Sequence, residues 1–106
     1  MEYKQKISKV VYREVDGIRS FIAKDNLDAA NKVASRIFDV IDIVTFNPKI
    51  GSKVSERFGI KSDYLFFVVS PFTYIILYKV DESVVKFGRV IDGRRDCVRV
   101  LSANKT

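Results

Sequence analysis

Polar and apolar side chains alternate at the start of the chain. Tyr3, Gln5 and Ile7 fall on one side and Lys4 and Lys6 on the other, which predicts a short first strand. From Lys9 the period lengthens: Val11, Val15, Ile18 and Ile22 recur at steps of four, three and four, one stripe of a helix running to about Lys24. Asp25-Asn26 then interrupts with two residue types whose short side chains accept hydrogen bonds from the free amides of a helix start. The second helix carries Ala30, Val33, Ile37, Ile41 and Val44 in its stripe and ends near Asn47, because Pro48 pushes the preceding residue out of the helical region. With so short a connection, the two helices are predicted to form an antiparallel hairpin.

Beyond Pro48 the period is lost. The stretch to Gly59 reads as an irregular connection, broken by one proline and two glycines. Three β-branched and aromatic segments follow, Tyr64 to Val69, Tyr74 to Val80 and Val84 to Ile91, separated by Ser70-Pro71 and Asp81-Glu82-Ser83 and ended by Asp92-Gly93. Such short links make the segments antiparallel neighbours. The expected fold is therefore α+β, a single domain over residues 1–106 in the order β-α-α-β-β-β, with the helical hairpin packed on one face of a four-stranded antiparallel sheet. The central strands are apolar on both sides: Phe66 and Val68 alternate with Leu65, Phe67 and Val69, and Ile75 and Leu77 with Tyr74, Ile76 and Tyr78. A sheet with one solvated face alternates more cleanly. A cover for the second face is expected, either Cys97 to Leu101 folded back, a second copy or a partner.

Composition removes more chemistry than it suggests. With no histidine and one cysteine, neither a zinc site nor a Ser-His or Cys-His nucleophile can be assembled, and no metal or cofactor is expected. Cys97 alone cannot close an intrachain disulfide, which fits a cytoplasmic chain, and it reads as a packed side chain. The first residues hold no signal-like apolar region. The longest apolar runs, Leu65 to Val69 and Tyr74 to Tyr78, are far short of the ~20 residues of a membrane helix. Lys+Arg 19 against Asp+Glu 13 leaves a net charge of +6, which favours an anionic partner.

The basic residues cluster in two places. Lys86, Arg89, Arg94, Arg95 and Arg99 are set against only Asp92 and Asp96, and Lys53, Arg57 and Lys61 precede the second strand. If both groups share a rim of the sheet, they form a phosphate-sized positive concavity, for which the planar arginine fork is suited. The alternative is a solvated face in which Asp92 and Asp96 pair with Arg94 and Arg95. No phosphate-cradling glycine loop is present, and Asp39 and Asp42, three apart on the second helix, are expected to face water. RNA cleavage needs neither histidine nor metal, since the substrate supplies its 2′-hydroxyl and cations stabilise the charge at phosphorus. For proton acceptors only Tyr64, Tyr74 and Tyr78 suit in type, and tyrosines in mid-strand usually pack.

Four segments in this order resemble the RelE/ParE superfamily of bacterial type II toxin-antitoxin toxins: Asp25-Asn26-Leu27-Asp28-Ala29-Ala30, Asn47-Pro48-Lys49-Ile50-Gly51, Tyr74-Ile75-Ile76-Leu77-Tyr78-Lys79-Val80-Asp81 and Arg89-Val90-Ile91-Asp92-Gly93-Arg94-Arg95-Asp96. The likeness runs from Tyr3 to Leu101. It implies a growth-inhibiting toxin held in a hetero-oligomer by a cognate antitoxin, with either DNA gyrase or the ribosome and its mRNA as target. RelE-like members are metal-independent, ribosome-dependent endoribonucleases, and the resemblance implies Arg95 as a catalytic residue in that case. Two positions depart from them: Ser70 stands where the nucleases tend to carry an arginine, and Leu101 where they carry a terminal tyrosine. The Asn-Pro-x-x-Gly connection, the Gly-x-Arg-Asp ending and Arg89 are more similar to the ParE branch, in which Arg89 and Arg95 organise the sheet end or contact gyrase. For target or phosphate binding the candidates are Arg89, Arg94, Arg95, Lys61, Arg57 and Lys53. A non-toxic nucleic-acid- or protein-binding module is the remaining alternative.

Overall fold

The computed structural model describes residues 2–94. Strand β1 (Lys4–Ile7) leads into helix α1 (Lys9–Ala23), which turns back through Lys24-Asp25-Asn26 into helix α2 (Leu27–Phe46). A 3-10 turn (Pro48–Ile50), strand β2 (Ser52–Lys53) and helix α3 (Val54–Phe58) follow, and strands β3 (Leu65–Val69), β4 (Tyr74–Asp81) and β5 (Val84–Asp92) complete the sheet. Both long helices start on side-chain caps. Ser8 accepts from the Val11 amide at 3.3 Å, and Asn26 from that of Ala29 at 3.0 Å, so each satisfies an amide that the first turn leaves without a partner.

Among the described residues the sheet has five strands in the order β1-β5-β4-β3-β2. This corrects the expected four-stranded antiparallel sheet in two ways. First, Ser52 and Lys53 form an additional strand, β2, at one edge by pairing with Phe66 and Leu65. Second, β1 runs parallel to β5, with Lys4, Lys6 and Ile7 opposite Val84, Lys86 and Phe87. A parallel pair needs a long crossover, and here the helices and the meander together provide it. The class, helical hairpin on an N-terminal strand plus three-stranded meander, stands as expected.

The two helical stripes do what their spacing dictates. Val11 and Val15 of α1 and Val33, Ile37, Val40, Ile41 and Val44 of α2 bury one face of the sheet, in one cluster with Val69, Ile76, Tyr78, Val85, Phe87 and Val90. The second face has its own smaller core, in which Val54 joins Phe66, Ile75, Leu77 and Ile91, packed by Phe58, Ile60 and Tyr64. The cover expected there is therefore supplied in part by α3 and the residues that follow it, in the stretch read as irregular. The Val54 amide donates to the Tyr64 carbonyl at 3.1 Å and fastens this segment at both ends. Gly59 ends α3 in the left-handed region, at φ 66°, where glycine carries no Cβ penalty. The alternative cover, Cys97 to Leu101, lies outside the described residues.

Candidate functional site

Arg89 sits beyond the end of the β1 pairing, where β5 has a free edge against α1. Its Nη2 and Nε lie 2.7 and 2.8 Å from Glu14 Oε2, while Glu14 Oε1 accepts from the Val90 amide at 2.8 Å. One carboxylate on α1 thus replaces the missing strand neighbour and holds the guanidinium at the same time. The pair is half-buried, which makes its charge-assisted bonds stronger than a surface pair. Ser8 adds a second tie to this edge, donating from Oγ to the Gly88 carbonyl at 3.3 Å. Glu14 was not singled out in the sequence, where it stands immediately before the stripe residue Val15 and looks like solvated helix surface.

The strand ends at a tight corner. The Gly93 amide donates to the Thr73 carbonyl at 2.8 Å, and a Cβ at Gly93 would come within 2.7 Å of that same oxygen, so only glycine fits. Asp92 Oδ1 accepts from the Arg94 amide at 3.0 Å, leaving the exposed Arg94 side chain outside the ion pairs found among the described residues. Arg95 lies outside the described residues.

The second basic group does not join this corner as a single rim. Lys53 on β2 lies opposite Leu65, which pairs with Tyr78, whereas Asp92 pairs with Tyr74. Two strands lie between β2 and β5, so Lys53 and Asp92, two residues before Arg94, are ~14 Å apart across the strands and ~13 Å apart along them. Arg57 and Lys61 are exposed on the segment that covers the second face, and the Arg57 guanidinium lies 5.7 Å from the Phe58 ring centroid. That segment, through Phe58 and Ile60, packs on the cluster that includes Val54 and Ile91.

The tyrosines considered as proton acceptors are engaged otherwise. Tyr78 is fully buried and donates to the Pro48 carbonyl at 2.7 Å. Burial pushes its phenol above the ordinary value of 10.0, a shift that the Gly51 backbone bond partly offsets, so it is a poor base near neutrality. The Tyr64 ring has the Lys79 ammonium 4.6 Å from its centroid. Ser70 is exposed, and its carbonyl accepts from Arg36 Nε at 2.8 Å. Asp39 and Asp42 both face solvent, and Asp42 accepts from Gln5 Nε2 at 3.0 Å. Among the described residues no group of acids and thiols is placed to hold a metal ion, and no helix is long and apolar enough to cross a membrane.

Comparison with known proteins now bears on this arrangement. The family model "ParE toxin of type II toxin-antitoxin system, parDE" matches residues 6–97. The chain belongs to the ParE toxin family. Membership in a two-component toxin-antitoxin family implies an antitoxin partner. Among solved structures, a chain of the chromosomal ParDE system from P. aeruginosa is similar, with a TM-score of 0.71 at 10% identity, over 85% of this chain and 95% of that one. At that identity the likeness is one of fold. No curated protein matches in sequence. In the structure Pro48 accepts from the buried Tyr78 hydroxyl and Arg89 is held by Glu14.

Proposed function

We propose that this ParE-family chain is a toxin that arrests growth by acting on DNA gyrase, and that its antitoxin silences it in the cytoplasm. Membership of the ParE family over residues 6–97 carries this reading. The site chemistry supports it from the other side. A nuclease of this fold has to present cations and a proton acceptor to a scissile phosphate. Here Arg89 is committed to Glu14, Tyr78 is buried with a raised phenol, and Ser70 offers no charge. In this reading Arg94, exposed beside Gly93, and Arg95, next to it in sequence, contact the target, with Arg89 holding the strand that leads to them.

Induced expression in a sensitive host tests the proposal. The expected result is growth arrest with accumulation of cleaved gyrase-DNA complexes and intact mRNA. Cut mRNA without cleaved DNA overturns the gyrase target in favour of ribosome-dependent cleavage, and undisturbed growth overturns toxicity itself. An Arg94→Ala/Arg95→Ala variant that folds and retains full toxicity refutes the corner as the contact.

A further inference from the structure

Among the described residues, the part of the second face near β1 and β5 is not covered by α3 and carries a row of like charges. Strand register sets Lys6 opposite Lys86 and Lys86 opposite Lys79, so three lysines stand in one row across β1, β5 and β4. Alternation along β1 sends Lys6 to the side away from Gln5, whose side chain reaches α2. Along β4 Lys79 packs on Tyr64, a residue of the second-face core. Like charges directly opposite one another on a sheet are destabilising, and adjacent strands are only ~4.8 Å apart. Local relief is incomplete. Lys86 pairs with Asp81 at 3.0 Å and Lys79 covers the Tyr64 ring, while Lys6 takes part in no ion pair among the described residues.

These residues line a recess of about 230 Å³ together with Ser8, Phe87 and Gly88. The Tyr64 ring closes over the Gly88 backbone, where a Cβ would stand 3.4 Å from it, in ordinary contact. That volume is below the ~300–1,000 Å³ of pockets that engulf a whole small molecule, so an anion meets the row from its solvent side, where Lys6 and Lys86 are exposed. Lys4, opposite Val84 on β1, extends the cationic surface along the edge strand, in the direction a polymer leaving the recess can follow.

We propose that the Lys6, Lys79 and Lys86 row binds a backbone phosphate of a single-stranded nucleic acid. The row supplies ammonium groups from three strands, and the chain continues over Lys4, with the charge of +6 drawing the polymer in. This site rests on strand register and is independent of the gyrase target.

The test uses the full chain and a short fluorescein-labelled single-stranded oligonucleotide, followed by anisotropy across a salt series. The Lys6→Gln/Lys86→Gln variant is expected to bind at least ~10-fold more weakly than wild type, with its log-log salt slope reduced by ~1.4. A control of equal charge change on the helical hairpin, Lys24→Gln in its turn and Lys32→Gln on α2, is expected to lose less than ~2-fold. Equal losses in the two variants, or none in the first, overturn the proposal. Lys6→Gln alone leaves the Lys86–Asp81 pair intact and, with circular dichroism, separates lost binding from lost fold. Displacement of the oligonucleotide by an equal concentration of inorganic phosphate assigns the recess to free anions and overturns the polymer, and equal competition by a polyglutamate peptide overturns phosphate recognition.

Discussion

The two faces of the sheet are built from the same strands and hold different things. On the hairpin side, α1 and α2 lay a continuous stripe over Ile76, Tyr78, Val85 and Phe87, and the Tyr78 hydroxyl buried there is bonded to the Pro48 carbonyl. On the other side a helix of five residues covers Phe66, Ile75, Leu77 and Ile91, and the remaining area near β1 and β5 is occupied by lysines. The difference teaches that one face specifies the fold and that the other keeps only as much apolar cover as its central strands require. Room for charge exists on the second face because the first has already supplied most of the buried area.

Adjacent residues of β4 break this comparison most directly. Ile76 is fully buried under the hairpin and Ile75 is 7% exposed under α3. Ile76→Ala is expected to cost about 4 kcal/mol and Ile75→Ala about 2 kcal/mol, because the short segment collapses onto a cavity more readily than two long helices do. Denaturant midpoints at unchanged m-value measure both, and equal losses remove the distinction between the faces. Glu14→Ala comes next, at about 2 kcal/mol, since it strips a charge-assisted acceptor from both Arg89 and the Val90 amide. Its loss of protection in amide exchange is expected to concentrate at Val90, on the β5 edge.

Tyr78 sharpens the comparison through pH. Its phenol titrates above the ordinary value in the folded chain because burial disfavours the phenolate. Stability from this group is therefore complete below the unfolded value near 10 and falls as pH rises through the folded value. Urea melts from pH 8 to 11 are expected to show a steeper alkaline loss for wild type than for Tyr78→Phe, which is weaker by about 1 kcal/mol at pH 8 through the lost bond to Pro48. Parallel losses in the two proteins contradict this. Smallest of all, Lys6→Gln is expected to leave the thermal midpoint unchanged or slightly raised, as one member of a like-charged row is removed.

Most of the fold is readable from periodicity. The α1 and α2 stripes, the Asn26 cap, the Pro48 stop and the three meander strands lie within a residue or two of where spacing puts them. What escaped is whatever depends on partners distant in sequence. Five residues in α3 make less than two turns, too few to display a period. The parallel register of β1 on β5 leaves no mark in either strand, and without it the lysines on β1 and β5 cannot be seen as neighbours. The candidate site shows the same division. Arg89 and the Gly93 corner are legible as a local string, whereas Glu14, which decides what Arg89 is free to do, is 75 residues away. Lys53 and Arg94 look like members of one patch until the register places two strands between them.

The pairing of positions 4 to 7 with positions 84 to 87 also orders events in time. Contacts that close long loops form late and slowly, so a nascent chain can assemble its hairpin early but has no place to seat β1 until β5 has been synthesised. The row of lysines across β1, β5 and β4 and the Ser8 tie to Gly88 then come into being together, at the end, and a ribosome carries an immature product in which these side chains are not yet neighbours.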